Sequence, residues 1–322
     1  MVYFLLRRLL QGFFVLFGVS LLSFLIIKLS PGSVLDQLKL NPAVSPETLR
    51  RLEEAYGLNE NALVQFFKWF WNALRFDFGY SLQYHAPVSQ LLWERLPNTL
   101  ALTAGAALFA WLLAFPLGIL AALKRGSLLD RLLLAFSYLF MSVPSFFLAF
   151  LAVFFAVKTG LFPVGGTHSP NYADLSTPER VLDYLHHLAL PVLVLGLGGL
   201  AGLLRLVRSS ALEVLNSPLM VYLEAKGAPF RVKLKHLLRN MLNPFITLLG
   251  FEIASLVSGA ALVEIVLGWP GLGSLMLEAV LAKDVFLVMG SLFVGTLLLV
   301  VGNLIADLLL ALNDPRVREK GF

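Results

Sequence analysis

One apolar stretch of the sequence carries a small polar face at helical spacing. Within residues 244–267, Glu252 is followed three, six and seven residues later by Ser255, Ser258 and Gly259. This spacing places the four residues on one side of a helix. Because a carboxylate is costly to place inside a membrane, it normally faces protein or water. The face therefore predicts either the lining of a translocation path or a packing surface for another helix.

Other polar residues in apolar stretches have simpler interpretations. Glu264 is close to Trp269 and to the end of its stretch, where it would meet interfacial water or cap a helix. Asn303 and Asp307 are four residues apart, on one helical face. That spacing favours a hydrogen bond between helices.

The strongest chemical signal is a basic segment between two apolar stretches. Residues 218–226 predict a short helix opened by Ser217 and Pro218, because proline suits a first turn. Gly227 predicts the C-terminal cap of this helix. Pro229 begins a second predicted short helix, which carries Lys233, Lys235, His236 and Arg239. An exposed helix with Gly and Pro at its ends is a good docking element for a partner protein.

Motifs for catalysis are absent from the sequence. It contains no Gly-x-x-x-x-Gly-Lys-Ser/Thr phosphate-binding loop, no Gly-x-Ser-x-Gly and no His-Glu-x-x-His. It contains no cysteine, which excludes disulfides and thiolate ligands. Four of the five histidines lack ligand partners at recognised spacing; they are His85, His168, His186 and His187. We therefore predict no metal site and no enzymatic activity.

The composition points to a membrane. The chain has 322 residues, of which 58% are hydrophobic and 14% charged, and its mean hydropathy is +0.81. Soluble domains carry about 25% charged residues, and one soluble core could not bury this much apolar surface. These values exclude a soluble enzyme, a nucleic-acid-binding protein and a disordered scaffold.

Six apolar stretches approach or exceed the length of about 20 residues that a membrane helix needs. They cover residues 9–29, 98–123, 132–157, 188–206, 244–267 and 285–312. Pro116 and Pro144 lie inside the second and third stretches and predict kinks rather than breaks. Arg7 and Arg8 precede the first stretch, which is too long for the apolar part of a signal peptide, so we expect a retained span.

Charges between the stretches predict the orientation. Basic residues predominate in both terminal tails and in segments 124–131 and 207–243, whereas segments 30–97 and 158–187 are acidic or balanced. Cytoplasmic loops carry an excess of Lys and Arg. Both termini are therefore predicted to be cytoplasmic, as six crossings require.

Four of the five tryptophans are predicted to lie at the membrane interface. Trp69, Trp71, Trp93 and Trp269 fall in the outer segments or near the ends of apolar stretches. An indole ring, which has an apolar body and one polar group, suits this boundary. We therefore expect these rings to act as interface anchors.

The basic segment resembles that of a known family. Glu224-Ala225-x-Gly227, with His236 nine residues after the glycine and then Pro244, looks like the EAA loop of ABC-importer permease subunits. In that family the coupling helix of the loop sits in a groove of the ATPase subunit. The resemblance implies the following ATPase-coupling residues: Leu219, Tyr222, Glu224, Ala225, Lys226, Gly227 and His236.

The resemblance extends over nearly the whole chain to the dipeptide/oligopeptide (and nickel) permease family, in its first-permease (B-type) branch. The motifs that carry it are Arg7-Arg8-Leu9-Leu10-Gln11, Leu29-Ser30-Pro31-Gly32, Arg95-Leu96-Pro97-Asn98-Thr99, Asp130-Arg131, Ser142-Val143-Pro144-Ser145-Phe146, Arg208-Ser209-Ser210, Arg239-Asn240, Trp269-Pro270-Gly271-Leu272-Gly273 and Asp314-Pro315-Arg316. Ser33-Val34, Ser217 to Met220 and Glu224 depart from the branch pattern, and these departures concern the substrate rather than the role.

The resemblance implies an all-α polytopic membrane protein with six transmembrane helices and the type I ABC importer permease fold. Residues 1–30 would form the cytoplasmic N-terminus and first transmembrane helix, and 31–97 an extracytoplasmic segment with short helices. Residues 98–312 would form a five-helix transport core that includes the cytoplasmic coupling loop 213–243. Residues 313–322 would form a cytoplasmic tail.

The resemblance also implies partners. They are a second homologous permease subunit that completes a heterodimer, two ABC ATPase subunits, an extracytoplasmic solute-binding protein and the lipid bilayer, without nucleic acid. ATP and Mg would bind the ATPase subunits, and this chain would bind no cofactor. The expected location is the plasma (inner) membrane of a prokaryote.

The implied function is that of a transmembrane permease subunit of an ATP-driven importer, which moves di- or oligopeptides from the binding protein into the cytoplasm. One alternative is the same architecture importing nickel, glutathione or an oligosaccharide. Another is a secondary transporter or channel, which would work without an ATPase and would need no coupling helix. ATP hydrolysis is expected on separate chains.

Overall fold

The computed structural model describes residues 2–29, 47, 60–255 and 261–313. The helices of this part are α1 (Val2–Leu29), α2 (Ala62–Ala73), α3 (Val88–Leu123), α4 (Leu128–Ser142), α5 (Ser145–Thr159), α6 (Thr177–Leu215), α7 (Pro218–Ala225), α8 (Phe230–Ser255), α9 (Ala261–Val266), α10 (Leu272–Leu281) and α11 (Val285–Asn313). Two short strands, β1 (Tyr80–Ser81) and β2 (Ala86–Pro87), form an antiparallel hairpin before α3. The described part of the chain is therefore helical apart from this hairpin and the connecting loops, one of which contains a single 3-10 turn, Tyr172–Asp174.

The two longest helices, α3 and α6, pack along each other through small residues. A methyl group added to Gly118 of α3 would lie 2.7 Å from Val207 Cγ1, and one added to Gly196 of α6 would lie 2.6 Å from Phe109 Cδ1. Glycine at such positions lets two membrane helices approach closely, where packing replaces the hydrophobic effect as the stabilising force. This pair forms the centre of the molecule.

The described residues contain four helices that are long and apolar enough to cross a membrane, where the sequence predicts six. These four are α1, α3, α6 and α11, and α4 with α5 adds a fifth when the bent pair counts as one span. Helices α3 and α6 also begin about three turns before the predicted apolar stretches 98–123 and 188–206. Apolar composition therefore located the membrane-embedded part of each helix and not its ends.

The prediction of a kink at Pro144 is wrong, because the helix breaks there. α4 ends at Ser142, α5 begins at Ser145, and the two axes differ by 99°. Val143, between them, is extended, with φ −94° and ψ 122°. A residue before proline is driven out of the helical region by the proline ring. At Pro116, by contrast, α3 continues without interruption along α6.

The predicted stretch 244–267 is also built differently. α8 runs from Phe230 through Pro244 to Ser255, and α9 follows after residues 256–260, which lie outside the described part. The prediction of a short helix beginning at Pro229 is therefore wrong. The basic segment and the first part of the apolar stretch, up to Ser255, therefore form one continuous helix.

A small layer made by α2 and the β-hairpin covers one end of α1 and α11. Phe66 and Phe70 of α2 are buried against Phe17 of α1, with ring centroids 5.5 and 5.2 Å away. The Asp284 carboxylate, at the start of α11, accepts hydrogen bonds from Ser81 Oγ at 2.7 Å and from the backbone N–H of Leu287 at 3.1 Å. This carboxylate fixes the hairpin to the end of α11.

Beside the hairpin, the Tyr84 hydroxyl donates a hydrogen bond to the Glu278 carboxylate of α10. Burial and the nearby Glu278 charge raise the pKa of Tyr84 to about 12. The hydroxyl therefore stays protonated and able to donate at neutral pH. The hairpin thus contacts α10 as well as α11.

Candidate functional site

The short helix α7 is held to the body of the molecule by one buried side chain. Met220 is 1% exposed and belongs to one apolar cluster with Ala122 of α3, Ala211 of α6, and Leu237 and Met241 of α8. The predicted helix over 218–226 is confirmed. Ser217 caps its N-terminus by accepting a hydrogen bond from the backbone N–H of Met220, and Pro218 occupies its first turn.

The opposite side of α7 is exposed and partly apolar. Leu219, Val221 and Tyr222 are 40%, 60% and 54% exposed. We call the exposed residues from Leu219 to the cap residue Lys226 the α7 surface, which consists of Leu219, Val221, Tyr222, Glu224, Ala225 and Lys226. A short helix with one buried anchor and an exposed apolar face is typical of a surface that contacts another protein.

The C-terminus of α7 is closed by a glycine in the left-handed conformation. Gly227 has φ +68°, and no other atom lies within 4 Å of where its Cβ would be. The backbone N–H of Gly227 donates to Glu224 O at 2.9 Å, and that of Ala228 donates to Leu223 O at 2.9 Å. These two bonds form a Schellman cap, in which a glycine is favoured at this position. The predicted cap is confirmed.

Charged groups link α7 to the start of α8. Lys226 Nζ lies 4.9 Å from the centre of the Tyr222 ring, a cation–π distance. Lys233 Nζ lies 3.6 Å from Glu224 Oε1, where Glu224 is exposed and Lys233 is half-buried. An ion pair at the surface contributes about 0–1 kcal/mol. It therefore orients the two helices more than it stabilises them.

The structure places six of the seven residues predicted for coupling together, on α7 and its cap. All six are exposed: Leu219, Tyr222, Glu224, Ala225, Lys226 and Gly227. His236 lies apart from them, half-buried on α8, where its carbonyl accepts a hydrogen bond from Asn240 Nδ2 at 2.7 Å. This bond involves only the backbone of His236, so its coupling role remains a prediction.

Sequence reasoning missed the role of a buried ion pair near this site. Arg208 of α6 binds Asp130 of α4 through two hydrogen bonds, Nε to Oδ1 at 2.6 Å and Nη2 to Oδ2 at 2.9 Å. The backbone N–H of Gly126 also donates to Asp130 Oδ2, at 2.9 Å. Both residues occurred only as fragments of the family resemblance. Their separation of 78 positions gave no local signal that they meet.

The predicted translocation-path residues fall at the edge of the described part. Glu252 and Ser255 belong to the last turns of α8, and the structure describes their backbone. Ser258 and Gly259 lie outside the described residues. The proposed polar face therefore remains a prediction.

Glu264 forms the centre of a buried polar group, which we call the Glu264 knot. Its carboxylate accepts a hydrogen bond from Thr99 Oγ1 at 2.9 Å and one from the backbone N–H of Ser274 at 2.8 Å. Thr99 Oγ1 in turn accepts from the backbone N–H of Leu272 at 2.7 Å. Of the two predicted environments, the helix cap is confirmed, because Ser274 is in the first turn of α10. Contact with interfacial water is wrong, because Glu264 is fully buried.

Trp269 completes the Glu264 knot, and its predicted role at the membrane interface is wrong. The ring is buried, and Nε1 donates to the carbonyl of Asn98 at 3.0 Å. Trp69 is buried too and donates to the carbonyl of Phe78 at 3.3 Å. Trp71 and Trp93 remain exposed. Burial with a paired N–H is the usual arrangement for an indole inside a protein.

Asp307 and His187 each lie beside a charged side chain of the opposite or complementary type. Asp307 Oδ2 lies 3.0 Å from Arg8 Nε, so the expected contact between helices is an ion pair between α11 and α1. His187 is buried on α6 beside Asp183. Within the described ranges, no three His, Asp or Glu side chains are grouped so that they could hold a metal ion.

These features together define a class of protein. A largely helical chain with several long apolar helices that pack through small residues has the features of a multi-pass membrane protein. Comparison with known families agrees with this class. Residues 114–319 match the family described as "Binding-protein-dependent transport system inner membrane component", and residues 1–103 match the N-terminal family of the same system. The chain belongs to this family of inner-membrane permeases.

Two relatives match along essentially their full length. The "Oligopeptide transport system permease protein AppB" of Bacillus subtilis (strain 168) is 37% identical over 317 residues, which cover 98% of each chain. The "Probable peptide ABC transporter permease protein y4tP" of Sinorhizobium fredii (strain NBRC 101917 / NGR234) is 34% identical over 317 residues, covering 98% of this chain and 99% of the relative. The similarity therefore includes both the membrane helices and the segment that carries α7.

Proposed function

We propose that this chain is the permease subunit of an ATP-driven importer of di- or oligopeptides, and that the α7 surface receives the movement of an ATPase subunit. The observation that carries the proposal is the form of α7: an exposed apolar face on a short helix fixed by Met220. Its relatives named for oligopeptide and peptide transport support the substrate class. The family description supports delivery by a binding protein.

The anchor of α7 explains how such a movement would be transmitted. Met220 shares its cluster with residues of α3, α6 and α8, so a displacement of α7 acts on three long helices at once. Close-packed side chains transmit such shifts because they cannot be compressed. ATP binding would favour one arrangement of these helices over the other, since a ligand shifts a population only by its differential affinity. The solute path would then change the side to which it opens.

The finer organisation belongs to the same proposal. We infer six membrane crossings with both termini in the cytoplasm, which places α7 and the coupling loop 213–243 on the ATPase side. The partners would be a second homologous permease, two ATPases that bind ATP and Mg, and an external binding protein that docks near segment 31–97. Glu252, Ser255, Ser258 and Gly259 would line the path within the core 98–312.

A glycine exchange at the cap of α7 tests this function. Replacing Gly227 by valine strains a position with φ +68° and changes the angle between α7 and α8, without a steric clash. We expect peptide uptake by the reconstituted transporter to fall at least about ten-fold, while ATPase activity persists. One strained residue costs about 1–3 kcal/mol, so the protein should still insert.

Gly160→Val is the matched control. Gly160 also has a left-handed conformation, φ +65°, with no atom near its Cβ position, but it follows α5 and is far from α7 in sequence. We expect this variant to retain coupled uptake. Normal coupled uptake by Gly227→Val, or an equal loss in both variants, would contradict the proposed role of α7.

A further inference from the structure

The break between α4 and α5 is exposed in the middle of an apolar segment. Ser142, Pro144 and Ser145 are exposed, and they lie midway between Leu128 and Thr159, the ends of the bent pair. The last carbonyls of one helix and the first N–H groups of the next have no partners within their own helices. Hydrocarbon cannot satisfy such groups, so irregular backbone at membrane depth faces protein or a water-filled cavity. We call this break, residues 142–145, the elbow.

Arg205 of α6 lies beside the elbow. Its Nη1 is 3.2 Å from Met141 Sδ, and its guanidinium carbon is 5.1 Å from the centre of the Tyr138 ring. A thioether and a ring face are weak acceptors that hold the guanidinium in place but use little of its hydrogen-bonding capacity. Among the residues that the structure describes, no carboxylate forms an ion pair with Arg205.

Arg208, one turn further along α6, provides a comparison for Arg205. Arg208 is bound on two atoms by the buried Asp130, so its charge is compensated inside the chain. Arg205 has no such compensation among the described residues, although it lies in the last turn of the apolar stretch 188–206 of α6. A charge in a membrane segment is costly unless it meets water, an opposite charge or a ligand. The exposed elbow gives water or a ligand access to Arg205.

We propose that Arg205, with Tyr138 and Met141, forms a subsite that binds the C-terminal carboxylate of a peptide in transit. The planar guanidinium matches a carboxylate with two parallel hydrogen bonds, and every linear peptide with a free C-terminus carries that group whatever its sequence. The adaptable thioether and the aromatic ring suit side chains of varied shape. The inference rests on the proposed peptide substrate and adds a named residue to its path.

Cysteine accessibility tests the elbow without the need for transport. The chain contains no natural cysteine, so Ser142→Cys introduces a single thiol. In the complete reconstituted transporter, we expect this variant to react with both anionic and cationic water-soluble methanethiosulfonates, with or without nucleotide. Phe150→Cys, on the exposed apolar face of α5, should react much more slowly. No reaction of the Ser142→Cys variant in either state would overturn the inference.

The charge of Arg205 should be detectable at the same thiol. Arg205→Gln in the Ser142→Cys background should lower the ratio of the anionic to the cationic reaction rate at least about three-fold, since one nearby charge in water is worth about 1 kcal/mol. Lys158→Gln is the matched control, because Lys158 is also a cation over an aromatic ring, that of Phe154. An unchanged ratio in the Arg205→Gln variant would overturn the subsite.

A tripeptide identifies the ligand in the same assay. A free-acid tripeptide should slow the anionic reaction of the Ser142→Cys variant, its C-terminal amide should not, and neither should act after Arg205→Gln. Arg205→Gln should also reduce uptake of free-acid peptides at least about ten-fold, the scale of one lost buried charge contact, and Arg205→Lys should recover part of it. The binding protein is the same in all variants, so its own preference for free-acid or amide peptides does not affect the comparison between variants.

The possible failures have different consequences. Equal loss of uptake for acid and amide peptides, or an Arg205 effect seen only in bilayers with anionic lipid, would overturn the subsite in favour of a structural role or a lipid phosphate. Absence of any peptide uptake by the unmodified transporter would instead overturn the proposed substrate. The thiol rate ratios do not depend on that substrate, so the two failures can be told apart.

Discussion

The Glu264 knot and the α7 surface use the same chain in opposite ways. In the knot, Thr99 and the backbone N–H of Ser274 donate to one buried carboxylate, and Trp269 donates to the carbonyl of Asn98. On the α7 surface, apolar side chains such as Val221 and Tyr222 are more than half exposed. The polar groups of the knot are paired within the chain, whereas the apolar side chains of the α7 surface would be covered only in the complex that we propose.

This difference separates stability from association. Buried polar groups are expensive to leave unpaired, so each member of the knot should matter to folding. Exposed apolar side chains cost the folded chain little, so changes on the α7 surface should leave folding intact and alter only what binds there. The predictions below test this separation, from the largest expected change in stability to the smallest.

Removal of the Glu264 carboxylate should have the largest effect on stability. Glu264→Ala leaves the Thr99 hydroxyl and the Ser274 N–H buried without their acceptor, which costs about 2–4 kcal/mol in all. We expect a clearly lower midpoint of thermal unfolding in nanodiscs. Glu264→Gln keeps one carbonyl acceptor and should lose less.

Glu179→Ala is the control for Glu264. The Glu179 carboxylate also accepts from a backbone N–H at the start of a helix, that of Ser176 at 2.8 Å, but it is exposed. Its loss should lower the unfolding midpoint much less, because water can replace an exposed acceptor. Equal losses of stability for the two alanine variants would show that burial is not what makes the Glu264 knot important.

A methyl group in the same region should have an intermediate effect. A Cβ on Gly273 would lie 2.7 Å from Ala261 Cα, so Gly273→Ala must push the backbones of α9 and α10 apart. Such overpacking costs about 1–3 kcal/mol. Gly202→Ala in α6 meets no atom within 4 Å and should be neutral or slightly stabilising. A comparison of their unfolding midpoints checks this; a stable Gly273→Ala variant would mean that the close contact of α9 with α10 is not required.

The two regions also differ in how well the sequence predicted them. The bounds and caps of α7 followed from Ser217, Pro218 and Gly227, because capping depends on residues within one turn. The environment of Glu264 could not follow in this way, since Thr99 is 165 positions away. Trp269 was misplaced at the interface for the same reason, because its partner Asn98 is 171 positions away.

The two prolines inside apolar stretches show the same limit of prediction from sequence. Pro116 and Pro144 occupy similar apolar stretches, yet α3 continues through the first and the chain bends by 99° at the second. Close packing of α3 along α6, with Gly118 against Val207, supports a continuous helix. Apolar composition correctly predicted long membrane helices, but tertiary packing decided which of them are continuous. The sequence did not single out Arg205, because its position beside the elbow depends on that bend.

The smallest change in stability and the largest change in association should come from the α7 surface. Leu219→Glu places a charge on an exposed apolar position, so the unfolding midpoint should stay within the small range usual for surface substitutions. If this face is buried against an ATPase subunit, the unpaired carboxylate should reduce co-purification of that subunit at least about ten-fold. Val164→Glu, at an apolar position of similar exposure between α5 and α6, should leave co-purification unchanged. Retained association in the Leu219→Glu variant would mean that the ATPase contacts the chain elsewhere, and the α7 surface would then need a different partner.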